Sequence, residues 1–154
     1  MLYEKLGKSV IQKYRREEEV DKNEIALYIA KAAFYASKDL NVQAILTPTE
    51  TGFTARNVSR FKPKCPIFAS TKDLTVLQHL QLVWGVVPLL DTQAHIDLTH
   101  YEMSYNLVQQ CYDAGMLSMN DRIIITSGSR LMTKRGTNLL EIYNVSDIIE
   151  KNLS

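Results

Sequence analysis

The sequence predicts an α/β fold built on a mostly parallel sheet with one antiparallel edge strand. Three observations carry this expectation. From residue 21 onward, short apolar or β-branched runs alternate with longer amphipathic ones, and Gly and Pro punctuate the junctions between them. The last two apolar runs also stand too close together for a crossover helix to fit between them.

Each element has its own signal. "DKNEIALYIAKAAFYASKDL" opens with Asp21 and Asn23 as capping candidates, and its Ile, Leu and Ala content suits a mostly buried helix. "VQAILT" reads as a short buried strand. "FTARNVSRF" follows as a helix with Phe53, Val58 and Phe61 available for packing, and "KPKCP" breaks it. The unit then repeats, with "PIFAST" as strand, "DLTVLQHLQLVW" as helix, Gly85 as the helix stop and "VVPLL" as the third strand. Successive strands joined through helices imply parallel neighbours with right-handed crossovers.

After the polar stretch "DTQAHID", Thr99 and Glu102 form a capping box for a helix that runs to about "CYDAG", with Gly115 as its stop. "RIIITSG" is a β-branched strand, "SRLMTKRGT" a loop and "NLLEIYNV" the strand that returns antiparallel. "SDIIEKNLS" closes the chain as a short helix capped by Ser146.

Residues 1–20 differ from the rest. Leu2, Leu6, Val10 and Tyr14 recur every four residues and "RREEE" follows, the pattern of an amphipathic helix with a charged end. It reads as a surface or linking helix, with docking on a partner domain as the alternative. Residues 21–154 form the α/β domain.

The 154 residues carry 18 Lys plus Arg against 17 Asp plus Glu, so no global field attracts nucleic acid or an anionic membrane. The opening "MLYEKLGKSV" lacks the apolar run of a signal peptide or a spanning helix. Cys65 and Cys111 stand apart from each other and from metal-ligand spacing, which suits a reducing cytoplasm. His79, His95 and His100 do not share a helix face, so polar loop and helix-entry roles are expected rather than a metal site. Trp84 and Tyr101 read first as packing residues.

In open α/β sheets ligands bind at the carboxyl ends of strands. "TPTETGFT" is such a strand-to-helix loop: Thr49, Thr51 and Thr54 offer hydroxyls, Gly52 allows close approach, and the next helix begins with free N–H groups. This is a phosphate cradle on one reading and a set of caps and turn formers on the other. It is not a P-loop, because no "GKS" or "GKT" follows. The loop after "RIIITSG" supplies Arg130, Lys134 and Arg135 ahead of Gly136, as the cations that the threonine loop is expected to lack.

"LTPTETGFTARNVSRFKPKCPIFAST", "LQLVWGVVPL" and "DRIIITSGSRLMTKRGTNLLEI" resemble, in order and spacing, the carboxy-terminal α/β domain of pyruvate kinase, over roughly residues 20–150. The resemblance implies a three-layer fold in which a five-stranded mixed sheet carries helices on both faces. It further implies a regulatory domain of glycolysis that binds a small phosphorylated effector, such as fructose 1,6-bisphosphate, and forms subunit contacts in a homo-oligomer. The family's effector site falls on Thr49, Glu50, Thr51, Gly52, Phe53 and Thr54 and on the loop from Ser129 to Gly136. Some effector-responsive members carry a basic residue where Glu50 or Phe53 stands here, and this departure and a glycine-poor basic loop set the chain apart from that pattern.

The family's phosphoryl transfer between phosphoenolpyruvate and ADP, with its Mg and K ions, belongs to a (β/α)8 barrel of about 250 residues, which 154 residues cannot hold. No cofactor, metal site or turnover is therefore expected of this chain alone. Two readings stand: a non-catalytic effector-binding module, whether part of a larger enzyme or separately encoded, and a purely structural oligomerisation domain without effector.

Overall fold

The computed structural model describes residues 22–92, 100–128 and 136–150. The elements run α1 (Lys22–Asp39), β1 (Ala44–Pro48), α2 (Phe53–Ser59), β2 (Ile67–Thr71), α3 (Leu74–Leu80), β3 (Val86–Leu90), α4 (His100–Asp113), β4 (Arg122–Ser127), β5 (Leu139–Asn144) and α5 (Val145–Ile149). The sequence 1–20, read as a linking helix, lies outside the described residues, as do Asp21 and Thr99.

The strands form one five-stranded sheet in the order β3-β2-β1-β4-β5. β1 pairs in parallel with both β2 and β4, and β2 with β3. β4 and β5 are antiparallel, with Ile124 opposite Ile142, so the expected edge hairpin is present. From β1 the chain steps outward through β2 to β3, then crosses back through α4 to set β4 on the other side of β1. The direction of winding therefore reverses between β1 and β4, which places a topological switch point at their carboxyl ends.

Both sheet faces are covered, as the period of two along each strand requires. Ala44, Leu46, Ile123 and Ile125 point to a layer with Leu107, Val108 and Cys111 of α4 and Val145, Ile148 and Ile149 of α5. Ile45, Ile67, Ala69 and Ile124 point to the opposite layer, with Ala30 and Ala33 of α1, Ala55 and Val58 of α2 and Leu80 of α3. Strands covered on both sides read as unbroken apolar runs, which is why "AIL" and "IIIT" look as they do.

α1 corrects the sequence expectation of a mostly buried helix. Its buried residues are Ala26, Ala30, Ala33 and Ser37, at spacings of four, three and four, while Ile25, Leu27, Tyr28 and Tyr35 are exposed, Tyr28 by 63%. Small side chains let the helix axis lie close to the sheet, and the large ones are left facing outward. The helix expected from the apolar content is present, and its extent of burial is less than that content implied.

Other boundaries shift for local reasons. α3 stops at Leu80, and the turn from Gln81 ends at Gly85, whose φ of 69° serves the entry to β3 rather than the helix end. The cap of α3 is Asp73, whose Oδ1 accepts the N–H groups of Thr75 and Val76 at 2.8 and 3.2 Å. α5 begins directly after β5, with Asn144 and not Ser146 in the cap position; the Asn144 N–H donates to Asp147 Oδ2 at 3.3 Å. Asn23 lies inside α1. Trp84 and Tyr101, expected to pack, are 53% and 51% exposed.

Candidate functional site

At the switch point two loops meet, one after β1 and one after β4. The Thr49 N–H donates to the Ser70 carbonyl at 2.8 Å, which straps the first loop to the neighbouring strand β2. Thr49 Oγ1 then accepts the Gly52 N–H at 2.8 Å, and Thr51 Oγ1 accepts the Phe53 N–H at 3.4 Å. Two of the three hydroxyls thus shape the turn from within, as short hydroxyl side chains commonly do.

Gly52 is the cap residue of α2, with φ 79° and no side chain to occupy the N–H groups of the first helical turn. Its conformation and its surroundings both call for glycine. A Cβ there would lie 2.9 Å from Arg56 Nη1 and 3.1 Å from Leu80 Cδ2. Arg56 Nη2 in turn donates to the Thr51 carbonyl at 2.9 Å. The loop therefore has a cation of its own, contrary to the sequence reading, in an exposed guanidinium folded back over the turn that precedes its helix.

The third hydroxyl reaches across. Thr54 Oγ1 lies 2.6 Å from Thr137 Oγ1, a contact between residues 83 positions apart. Thr137 is buried, just past the basic loop, and the Asn138 N–H donates to the Ser127 carbonyl at 3.0 Å to close the β4–β5 hairpin. Beneath the loops, Thr47 Oγ1 near the end of β1 and Thr126 Oγ1 near the end of β4 are buried with no hydrogen-bond partner among the described residues.

Of the residues expected in the site, Thr49, Thr51, Gly52 and Thr54 form one turn, and Gly136 stands beside Thr137 on the facing hairpin. Arg130, Lys134 and Arg135 lie outside the described residues. Arg56 and Thr137 were missed by sequence reasoning. Thr137 follows Gly136 directly and was within reach of it; Arg56 looks like any exposed helical arginine until the turn is built.

The surroundings offer little covalent chemistry. Among the described residues no group of three or more His, Cys, Asp or Glu is placed to hold a metal ion, and no helix is long and apolar enough to cross a membrane. His79 sits on α3, while His95 is outside the described residues.

Both cysteines are free. Burial pushes the Cys65 thiol up, and pushes that of Cys111 up to about 12. A thiol whose folded pKa lies above its unfolded value binds the extra proton in the folded state. Its contribution to stability is complete below the unfolded pKa and is lost as pH rises toward the folded one. For Cys111 that window runs from 9.0 to about 12. Chemical denaturation should accordingly show stability falling through this range in the parent and less steeply in Cys111→Ala, and a thiol reagent at pH 8 should leave Cys111 unmodified until the protein unfolds.

A doubly wound α/β domain with two loops joined at its switch point is the class that this fold and these loops define. Residues 28–143 match the family model described as "Pyruvate kinase, alpha/beta domain", and the chain belongs to that family. It is 32% identical over 145 residues to a pyruvate kinase of Sporosarcina psychrophila, covering 94% of this chain and 24% of that protein. With a pyruvate kinase of Bacillus licheniformis it shares 36% identity over 124 residues, 80% of this chain and 20% of that protein. With Pyruvate kinase 2 of a Synechocystis strain the identity is 33% over 135 residues, 88% of this chain and 22% of that protein. The chain thus spans between a fifth and a quarter of the length of these relatives.

Proposed function

We propose that the chain is the effector-binding regulatory domain of a pyruvate kinase, which takes a small phosphorylated metabolite between the loop Thr49–Thr54 and the loop that follows β4. The observation that carries the reading is the Thr54–Thr137 contact of 2.6 Å, which joins the two loops at the switch point. A dianion there would meet the first-turn N–H groups of α2 beyond that of Phe53, which Thr51 already accepts, and the Thr51 and Thr54 hydroxyls. Among the described residues the nearby cation is Arg56, and Arg130, Lys134 and Arg135 stand in the sequence between β4 and β5. Glu50, exposed in the same turn, opposes the most highly charged ligands by like-charge repulsion.

On this reading the chemistry, phosphoryl transfer between phosphoenolpyruvate and ADP, belongs to a catalytic barrel, and this domain acts in the cytoplasm as part of a homo-oligomer. Ligand that ties the two loops together favours one arrangement of the subunit contacts over another, and a barrel in contact with them senses the shift. Local use of the Thr49 and Thr51 hydroxyls favours the second reading, a structural domain whose threonines only form the turn.

Thermal-shift titration of the chain against sulfate, fructose 1,6-bisphosphate, ribose 5-phosphate and AMP separates the two. A ligand at one hundred times its Kd adds about 2.7 kcal/mol of stability. One compound should give a saturable rise that Thr51→Ala and Thr54→Ala each weaken by tenfold or more in apparent Kd. If no compound shifts the transition, and the alanine variants lose only the hydrogen bond of the hydroxyl removed, about 0.5–1.5 kcal/mol each, the effector reading fails.

A further inference from the structure

The outward face of α1 meets α2 in a groove with no occupant among the described residues. Two adjoining hollows of about 410 and 270 Å³ share Glu24 and Leu27 in their walls. Leu27, Tyr28, Phe53 and Phe61 supply apolar lining, with Lys31 and Arg60 as the basic members. Asn57 also lines the larger hollow; it is 7% exposed, and its Nδ2 has no hydrogen-bond partner among the described residues. A buried amide donor without an acceptor is uncommon, so among the described residues the groove lacks both apolar cover and one acceptor.

We infer that this groove is the docking surface for the chain's own residues 2–14, folded back over α1 and α2. The connection is direct, because the walls include Asn23 and Glu24 of the first turn of α1, and residues 15–21 join the segment covalently to that turn, which holds it at high effective concentration. Leu2, Leu6, Val10 and Tyr14 make one apolar stripe, about 18 Å long at 1.5 Å per residue, which fits along a helix the length of α1. With Gly7 in its interior, so short a helix gains its stability from packing and not from propensity. Tyr14, on the stripe itself, brings an oxygen acceptor for Asn57, and Glu17, Glu18 and Glu19 offer partners to Lys31 and Arg60. The inference is independent of effector binding, since the occupant is argued from the groove and the adjoining sequence alone.

Disulfide trapping in the full chain tests it. In a Cys65→Ser background, Leu6→Cys is combined in turn with Leu27→Cys, Tyr28→Cys or Lys31→Cys, and with Leu82→Cys as a control, 88% exposed beyond the end of α3. Oxidation at low protein concentration should give a linked product of monomer mass with at least one groove position and not with the control. A product of dimer mass would make a second copy the occupant, and failure of all three pairs, or equal trapping by the control, would remove the segment; each overturns the proposal. As a second reading, Leu6→Asp with Val10→Asp should speed amide exchange across residues 27–31 severalfold and leave α4 unchanged, and unchanged exchange there also counts against docking.

Discussion

Leu46→Ala is expected to lower the stability of the domain by about 2–5 kcal/mol, the range for removing a fully enclosed leucine. Leu46 lies on the central strand β1, has no accessible surface and belongs to the layer formed with Phe68, Ile123, Ile125 and Leu107. Neighbouring strands fix the backbone on both sides, so the site cannot collapse to fill the space, and the cost combines lost transfer energy with a retained cavity. In a domain of this size the midpoint should fall by about 4–20 °C. Leu82→Ala removes the same atoms from an exposed position beyond the end of α3 and serves as the comparison. If Leu46→Ala costs less than about 1 kcal/mol by denaturant titration, in the range of ordinary surface changes, the assignment of β1 to the centre of a two-sided core is wrong.

The same contrast shows what the sequence made legible. Buried strands announce themselves as β-branched runs, and the helices between β1, β2 and β3 require parallel neighbours, so the sheet could be read without coordinates. The short span between Ser127 and Leu139 likewise implied the antiparallel edge. The faces of α1 were not legible, because apolar residues occur around most of its circumference and periodicity could not choose between them. What decides is distance to the sheet, which favours Ala26, Ala30 and Ala33 over Leu27 and Tyr28. Ser146 and Asn144 are both good caps, and only the end of β5 shows which is used.

In the candidate site the threonine turn was legible from its residue types and its position after a strand. The neighbour across from it was not. Strand order places β4 next to β1, and that adjacency brings Thr137 to Thr54; no local pattern connects residues 83 positions apart. Arg56 is hidden for a related reason. Its role depends on the left-handed Gly52, which turns the chain so that the guanidinium reaches the Thr51 carbonyl.

Gly128→Ala tests the closure of the hairpin that carries Thr137 and should be the most disruptive change at the loops. Gly128 does not adopt the left-handed conformation seen at Gly52, Gly85 and Gly115, so its requirement is for space. A Cβ would be driven into the carbonyl oxygen of Gly136, a backbone atom that cannot rotate away as a side chain could. Relief must come from moving the hairpin ends apart, and Thr137, the next residue, moves with them. We expect a cost of about 1–3 kcal/mol from the overpacking, loss of the Thr54–Thr137 contact, and a weakened or absent stabilisation by any phosphorylated compound that shifts the parent protein. Gly85→Ala separates conformational strain from crowding: φ is 69° there with open space around the Cβ, so it should cost about 1–2 kcal/mol and leave the ligand response intact. A Gly128→Ala protein with the parent's midpoint and the parent's ligand response would show that the hairpin ends do not close as described, and the placement of Thr137 against Thr54 would lose its support.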